Sequence, residues 1–505
     1  MDGTNMVNFR NKLRKSSSTN VERYAVYLFI SILGYIAYIF MTFVINNNSE
    51  FKNTIFVLSW LGILLGVFVI ISWKRITGIY FSPYTIFMVF FFLFNYGQCL
   101  MWAFGIHVPN EIGQVVLYPH WGVPTSYDIV KTQLLTLICL LMFHCGAVLC
   151  YKGKIKRQSG LLDKKQKYII EDNLSLRIMF NVCFIFSIIV FPITLYYAFV
   201  DLQIAQTHGY RALYYSEYAR RGGSLLILLS KLFFPCIVGM LIGSKFNKKI
   251  RIYVYSVFLL YLVLNLLAGD RGSWIYTLVI LIWLSHFCYK PINFKRFVFY
   301  ALVCFVSIYI IDVIVSLRNV GITYDNVVNT ISLDNSPIVE TIFEMGSSMS
   351  PAILLQKYDW DIWPYSNTYF LAILTMVTNK TVYLLDIPFA TIGSWFSQTY
   401  LGISYGAGFS IVAEALLNFG PYLAPFVLFI LGYFISTMIY IDKNNDYKNR
   451  PLRVFFAVAT LECIIPLTRN YLHYQLKDWL YGVLILSFTI YIIKRFISKK
   501  RHYKY

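Results

Sequence analysis

Long apolar runs follow one another along almost the whole chain, and they constrain the fold more than any other feature. A helix needs about 20 mainly apolar residues to cross a bilayer, and the sequence contains about 12 such runs. They lie near residues 24–45, 55–73, 82–106, 132–151, 178–200, 224–243, 252–268, 272–289, 297–317, 408–440, 454–468 and 479–493. The pattern predicts an all-α polytopic membrane protein, with one membrane domain over residues 1–505 and a transmembrane region at 24–493.

Composition agrees with this class, since 58% of residues are apolar and only 13% are charged, against about 25% charged in soluble domains. The net charge of +20 could indicate nucleic-acid binding, but the basic residues cluster in loops between apolar runs. The nine cysteines lie in or beside apolar runs, so we expect no disulfide framework and no cysteine-based metal site. No nucleotide-binding motif is present. We expect no cofactor and no nucleic-acid partner.

The distribution of lysine and arginine predicts the orientation of the chain. The first apolar run is too long for a signal-peptide core, which indicates an uncleaved signal anchor. With the amino terminus inside, the cytoplasmic segments hold most of the 44 lysines and arginines, as the positive-inside rule requires, and both termini are cytoplasmic. Few cations then face outside: Lys52, Lys131, Arg211, Arg220, Arg221, Arg271, Arg318, Lys357, Lys380, Arg469 and Lys477.

Three substantial loops are predicted on the outer face, at residues 107–131, 201–223 and 318–407. The last has about 90 residues and is rich in aromatics, and loops of that length are uncommon unless they are functional or disordered. Its aromatic content argues against disorder, and SPAILLQKY and FLAILTMV are typical of short helices. We therefore expect the functional site on the outer face.

The outward arginines are the first candidates for that site. Arg271 lies in the turn AGDRGSW between two apolar runs, and Arg318 and Arg469 also follow the ends of runs. Arginine presents a fixed fork of donors that suits phosphate oxygens. The pattern therefore predicts a phosphate or pyrophosphate site, formed by these three residues together with Arg211, Arg220 and Arg221. The alternative is that each arginine contacts lipid headgroups.

Lys231 is a further candidate because it lies inside an apolar run, where an ionisable side chain is costly. Its alternative is a buried ion pair with Asp312 or Glu462.

Three outward acids lie near glycine-containing turns. Glu414 precedes the Gly420-Pro421 break, Glu344 precedes a glycine in IFEMGSSMSP, and Asp270 adjoins Arg271. Glu414 and Glu344 are candidate proton acceptors, whereas we expect Asp270 to orient Arg271. The outer His473 is a possible polar contact or general base, with a structural role as its alternative. No HExxH or DxD motif occurs, so we predict no metal site.

Across roughly residues 170–495 the chain resembles the Wzy-type polymerases that join O-antigen or capsule repeat units in bacteria. The resemblance rests on LAGDRGSW, on SLRN at the start of the large loop, on AEALLNFGP, and on RALYYSEYARRG, which fits an Arg-x10-Gly pattern from Arg211 to Gly222. No second copy of that pattern occurs, which departs from a paired-loop arrangement.

The resemblance implies an enzyme, a glycosyltransferase of lipopolysaccharide or capsule synthesis in the bacterial cytoplasmic membrane, with GT-C-like architecture. The growing glycan would pass from undecaprenyl pyrophosphate to the non-reducing end of one lipid-linked unit, without a metal. On this view Arg211, Arg271, Arg318 and Arg469 hold pyrophosphate, Arg271 acts directly in catalysis, and Glu414 or Glu344 takes the acceptor proton. The implied partners are the lipid-linked oligosaccharide, membrane lipid, a chain-length regulator and a flippase.

Two alternatives stay open at this point. An O-antigen ligase-like transferase would use the same donor and a different acceptor. A lipid-linked oligosaccharide flippase should instead distribute charges through its spans and have short loops, whereas charge in these spans is scarce and one outer loop is long.

Overall fold

The structure is a computed structural model of the 505-residue chain. It describes residues 3–45, 51–162, 172–209, 212–213, 224–268, 270, 273–293, 295–296, 298–299, 302, 337–389, 391–442 and 446–502.

Helices make up nearly all of the described residues. The principal ones are α1 (Gly3–Val44), α2 (Lys52–Thr77), α3 (Pro83–Trp102), α4 (Ser126–Leu162), α5 (Asn173–His208), α6 (Ser224–Ser230), α7 (Phe233–Gly243), α8 (Lys248–Ala268), α9 (Ser273–Cys288), α10 (Pro337–Gly346), α11 (Ser350–Lys357), α12 (Thr368–Leu374), α13 (Ile392–Trp395), α14 (Ile411–Ile439), α15 (Asp446–Asn449), α16 (Pro451–Ile464), α17 (Leu472–Asp478) and α18 (Ile485–His502). The described part of the chain contains one isolated β-bridge and no strand.

The all-α polytopic class is confirmed. Within the described ranges, 11 helical stretches are long and apolar enough to cross a membrane, and Trp274–Cys288 is a shorter apolar helix. The predicted run at 297–317 falls almost wholly outside the described residues. One of the 11 stretches, Ile338–Lys357, belongs to the predicted large loop. It is interrupted at a 3₁₀ turn, so α10 and α11 are each too short to span a bilayer of about 30 Å at 1.5 Å per residue.

Helices α4 and α14 form the central pair of the molecule, and small residues allow their backbones to approach closely. A Cβ atom on Gly146 would overlap the carbonyl oxygen of Phe429, and one on Gly432 would overlap that of Phe143. Such contacts through small residues are a common way to pack helices within a bilayer. One contiguous set of buried apolar side chains then runs from Tyr38 to Ile490.

The predicted break in α14 is present at Gly420, whose φ of 70° and ψ of 174° lie outside the helical region. Pro425 cannot donate the backbone hydrogen bond that the carbonyl oxygen of Pro421 would accept in a regular helix, so carbonyl groups just after the break are open to other partners. Tyr35 and Tyr38 of α1 supply them by donating their hydroxyls to the carbonyl oxygens of Tyr422 (2.9 Å) and Pro421 (3.1 Å). The break is therefore a stabilised part of the fold.

Two loops pack together where α3 ends and α4 and α14 begin, and we call this end of the molecule the loop face (residues 103–125 and 358–410). The Tyr118 hydroxyl donates to the carbonyl oxygen of Ala407 at 3.2 Å, and the Gly122 amide donates to the Tyr358 hydroxyl at 3.1 Å. The buried Glu111 accepts from the Trp102 indole at 2.8 Å and so ties the first loop to α3. These contacts make the loop face an ordered layer.

The broken stretch α10–α11 packs against α3 near its carboxyl end. A Cβ atom on Gly97 or on Gly346 would overlap the backbone of the other segment. The side-chain Nε2 of Gln98 donates to the carbonyl oxygen of Phe343 at 2.9 Å, and its Oε1 accepts from the backbone amide of Ile112 at 3.0 Å. Gln98 therefore joins α10 and the first loop to α3.

Candidate functional site

Glu414 lies in the first turn of α14 and is fully buried at the loop face. Its two carboxylate oxygens accept hydrogen bonds from separate segments: Oε1 from the Thr368 hydroxyl at 2.9 Å, and Oε2 from the Leu472 amide at 2.8 Å. A buried carboxylate is costly unless such donors satisfy it. Glu414 therefore joins α12, α14 and the start of α17.

Asn418, one turn further along α14, completes this connection. Its side-chain amide donates to the Thr368 hydroxyl and to the Glu414 carbonyl oxygen, both at 2.7 Å, and its Oδ1 accepts from the Thr368 amide at 2.7 Å. Thr368 is thus held at both its backbone and its hydroxyl. The arrangement orients the hydroxyl of Thr368 toward the carboxylate.

His473 lies beside Glu414 across a small cavity of about 20 Å³ that both side chains line. Its Nδ1 is 2.7 Å from the Thr375 hydroxyl, and its buried Nε2 has no hydrogen-bond partner. The cavity has room for about one water molecule, which requires roughly 10–15 Å³. Carboxylate and imidazole therefore face one shared, enclosed space.

Arg469 is close to this pair along the chain, because the segment TRNYLH connects it to Leu472 and His473. Its side chain is exposed, with the guanidinium carbon 5.2 Å from the centre of the Phe94 ring. Burial, Tyr474 and Glu414 hold the pKa of the intervening Tyr471 well above its usual range, although a hydrogen bond with Thr391 opposes this. Tyr471 therefore keeps its proton at neutral pH.

A second polar group surrounds Lys231. The ammonium forms an ion pair with Asp478 of α17 (2.9 Å), and both side chains are about one third exposed. The ion-pair alternative named Asp312 or Glu462 as the partner, whereas the structure pairs Lys231 with Asp478; Asp312 lies outside the described residues. The Tyr276 hydroxyl is within electrostatic range of Asp270, Glu462 and Asp478. Tyr276 therefore interacts electrostatically both with Asp270 and with Asp478, the partner of Lys231.

Glu344 lies on α10, outside the loop face. It is exposed on α10, and the carbonyl oxygen of its own residue accepts from the Ser347 hydroxyl. No hydrogen bond among those of the described residues joins Glu344 to Glu414 or His473. Of the two predicted acids, Glu414 is the one that shares a cavity with the histidine.

Five predicted site residues lie outside the described residues: Arg211, Arg220, Arg221, Arg271 and Arg318. Their predicted contact with pyrophosphate stays a prediction. Within the described ranges, no three His, Cys, Asp or Glu side chains are grouped so that they could hold a metal ion.

The sequence alone does not point directly to Thr368, Thr375, Asn418 or Asp478. Hydroxyl and amide residues are frequent in polar loops, so nothing local distinguishes Thr368 and Thr375. Asn418 is identifiable from its spacing, because it lies four residues after Glu414 and residues four apart lie on the same face of a helix. Lys477 and Asp478 adjoin in the sequence, which conceals that Asp478 pairs with Lys231.

A family model described as O-antigen polysaccharide polymerase Wzy matches residues 24–501, which is nearly the whole chain. No curated protein and no solved structure matches the chain. A match of this extent, on a multi-pass helical membrane protein, shows that the chain belongs to the O-antigen polysaccharide polymerase Wzy family, whose members polymerise repeat units from lipid-linked oligosaccharides.

Proposed function

We propose that the protein transfers a growing glycan from undecaprenyl pyrophosphate to the non-reducing end of one lipid-linked repeat unit, on the outer face of the bacterial cytoplasmic membrane. The observation that carries this proposal is the family match over residues 24–501. The ordered loop face supports it, because it brings a carboxylate, an imidazole and an exposed arginine to one end of the helices.

In the proposed reaction, a hydroxyl of the acceptor sugar attacks the anomeric carbon of the donor glycan. A new carbon–oxygen bond forms, the bond between that carbon and the pyrophosphate oxygen breaks, and the pyrophosphate leaves on its lipid. Charge on the leaving group is best stabilised by preorganised donors. We assign this role to Arg469, together with Arg211, Arg271 and Arg318, whose fork geometry matches phosphate oxygens.

We assign to Glu414 the role of accepting the proton from the attacking hydroxyl of the acceptor sugar, with His473 beside it. Nδ1 of the histidine is engaged by Thr375, so Nε2 is the nitrogen that remains for a proton in the shared cavity. The cavity is small and Glu414 is buried, so substrate contact requires α12 to move away from α14. Glu344 is the second proposed acceptor, since it is already exposed.

We propose that Lys231 and Asp270 assist in binding the anionic substrate without acting in the chemical step. Lys231 is paired with Asp478 and about one third exposed, so it can contribute to an anion site at its rim. Asp270 is proposed to orient Arg271, its neighbour in the chain. A chain-length regulator and a flippase are proposed as partners, because polymerisation needs a supply of units and a limit on length.

A glycan-length assay in the native host tests the proposal against its two alternatives. Removal of a polymerase leaves single repeat units on the final acceptor. Removal of a ligase would leave long chains on the lipid carrier, and removal of a flippase would leave single lipid-linked units inside the cell. We expect the first result, and either of the others would overturn the proposal.

A further inference from the structure

A second, larger cavity lies at the opposite end of the helices from the loop face. It has a volume of about 150 Å³ and is bounded by the end of α2, the start of α3, and the residues that follow α14. A cavity of about this size can hold a six-membered hydrocarbon ring in another protein. It is therefore large enough for a small organic group, and the proposed polymerase reaction makes no use of it.

Aromatic rings form much of its wall. Trp73 and Tyr84 stack with their ring centres 3.9 Å apart, and Tyr151 lies 5.8 Å from Trp73 and 5.6 Å from Tyr440. The polar atoms of the first two rings already have partners, since the Trp73 indole donates to Ser82 and the Tyr84 hydroxyl bonds to His144. Ring faces carry negative electrostatic potential and attract cations.

Two polar side chains add to this preference. Among the described residues of the cavity wall, Asp442 is the one with a formal charge, and that charge is negative. Ser436 also lines the cavity, and its buried Oγ has no hydrogen-bond partner. A buried hydroxyl without a partner is costly, which points to a ligand donor at this position. The wall therefore suits a cation with N–H donors.

Lysine and arginine lie just outside the cavity. Lys74 and Arg75 occupy the last turn of α2, and the turn after it supplies Ile79 to the wall. Lys74 is bonded to the exposed Tyr80 hydroxyl at 2.8 Å, which holds its ammonium near the surface. A negatively charged cavity wall with positively charged residues beside it matches a zwitterionic ligand. The ammonium of such a ligand would lie in the cavity, and its phosphate would lie just outside it.

We propose that this cavity binds the primary ammonium group of a phospholipid headgroup, of the ethanolamine type. The ammonium would donate to Ser436 Oγ and the Asp442 carboxylate and face the rings of Trp73 and Tyr151, and the phosphate would contact Lys74 and Arg75. A trimethylammonium group has no N–H to donate to Ser436 and is disfavoured. A lipid source is favoured because aromatic residues at the ends of apolar helices lie at the headgroup level of a bilayer.

Native mass spectrometry of the purified full-length protein tests this inference. It would be titrated with phospholipids that carry the same chains and an ethanolamine, choline or glycerol headgroup. We expect the ethanolamine lipid to bind at least tenfold more tightly than the glycerol lipid. Asp442→Asn should weaken that binding about tenfold, since a charge-assisted hydrogen bond contributes about 1.5–3 kcal/mol and 1.4 kcal/mol is tenfold. Ser436→Ala should weaken it by a smaller factor.

Asp172→Asn is the matched control, because it makes the same change at the same end of the molecule outside the cavity. It should bind lipid as the wild type does, and only variants that elute as single species would be compared. Equal binding by wild type and Asp442→Asn, or equal binding of ethanolamine and glycerol lipids, would overturn the inference. Displacement of the lipid by free ethanolamine at similar concentration would assign the site to a soluble amine and refute the lipid source.

Discussion

At the scale of single residues, Glu414 connects segments that are far apart in the sequence. It was identifiable from the sequence because an acid in an apolar run just before a Gly-Pro pair is unusual. Its partners could not be identified from the sequence, because Thr368 and Leu472 are 46 and 58 residues away and neither residue type is distinctive. Those contacts exist only once the loop has folded onto α14.

Glu414→Gln should therefore impair both stability and polymerisation. The amide cannot accept with both atoms, and Thr368 already accepts from Asn418, so one buried hydrogen bond is lost at a cost of about 1–2 kcal/mol. We expect a lower midpoint of thermal unfolding in detergent and loss of long glycans in cells.

Glu340→Gln is the matched control, because Glu340 is an exposed acid on α10 that the proposed reaction does not use. It should leave the unfolding midpoint and the glycan length unchanged. If Glu344→Gln abolished long glycans and Glu414→Gln did not, the proton acceptor would be Glu344.

At the scale of elements, most helices follow from the apolar runs, because hydropathy over about 20 residues determines what can cross a bilayer. The stretch Ile338–Lys357 shows the limit of that rule. It has the length and hydropathy of a span, yet Gly346 and the 3₁₀ turn divide it into α10 and α11. The sequence indicates a glycine-containing turn in IFEMGSSMSP and a short helix at SPAILLQKY, but the packing of Gly346 on Gly97 that accounts for the division is visible only in the structure.

The break in α14 should make the protein sensitive to substitution of Gly420. Gly420→Ala places a Cβ atom 3.1 Å from the Trp360 ring, at a φ and ψ that are essentially restricted to glycine. We expect a loss of about 1–3 kcal/mol in the free energy of unfolding. Gly406→Ala is the control, because a Cβ atom there has no neighbour within 4 Å. Equal unfolding midpoints for the two variants would contradict the proposed strain.

Asp172 links α5 to α18 at the end opposite the loop face. Partial burial raises its pKa, but hydrogen bonds from Lys494 and Ser175 outweigh this and lower the pKa below its usual value. Because the pKa is lower in the folded state, the stabilisation is complete above the unfolded value of about 4 and is lost as the pH falls through the folded value.

The variants Asp172→Asn and Asp172→Ala separate two contributions of this residue. Asparagine keeps the cap on the Ser175 amide (3.0 Å) and removes the ion pair, which should cost about 0.5–1 kcal/mol since both partners are partly exposed. Alanine should lose about 1 kcal/mol more with the cap. The difference between wild type and Asp172→Asn in urea unfolding should shrink below about pH 4. A difference that does not shrink at all as the pH is lowered further below about 4 would contradict the ion-pair account.

At the scale of the whole molecule, the distribution of charge predicts the orientation of the chain in the membrane. It does not predict how loops 103–125 and 358–410 pack together. Orientation is testable with an impermeant thiol reagent, because every described cysteine except Cys288 is buried. A cysteine at Gly122 should be labelled in intact cells, and one at Lys245 only after permeabilisation. The reverse pattern would place the loop face inside. The expected GT-C-like architecture stays a prediction.

We propose that this protein alone is sufficient to elongate lipid-linked repeat units. The most direct measurement incubates the purified protein with repeat units isolated from cells that lack it, so that the sugars are those of the native host, and resolves the products by gel. We predict a ladder with the spacing of one repeat unit for wild type, and its loss for Arg469→Ala and for His473→Ala, each folded as wild type. Unconsumed repeat units with wild type, or a ladder unchanged in both variants, would contradict the account.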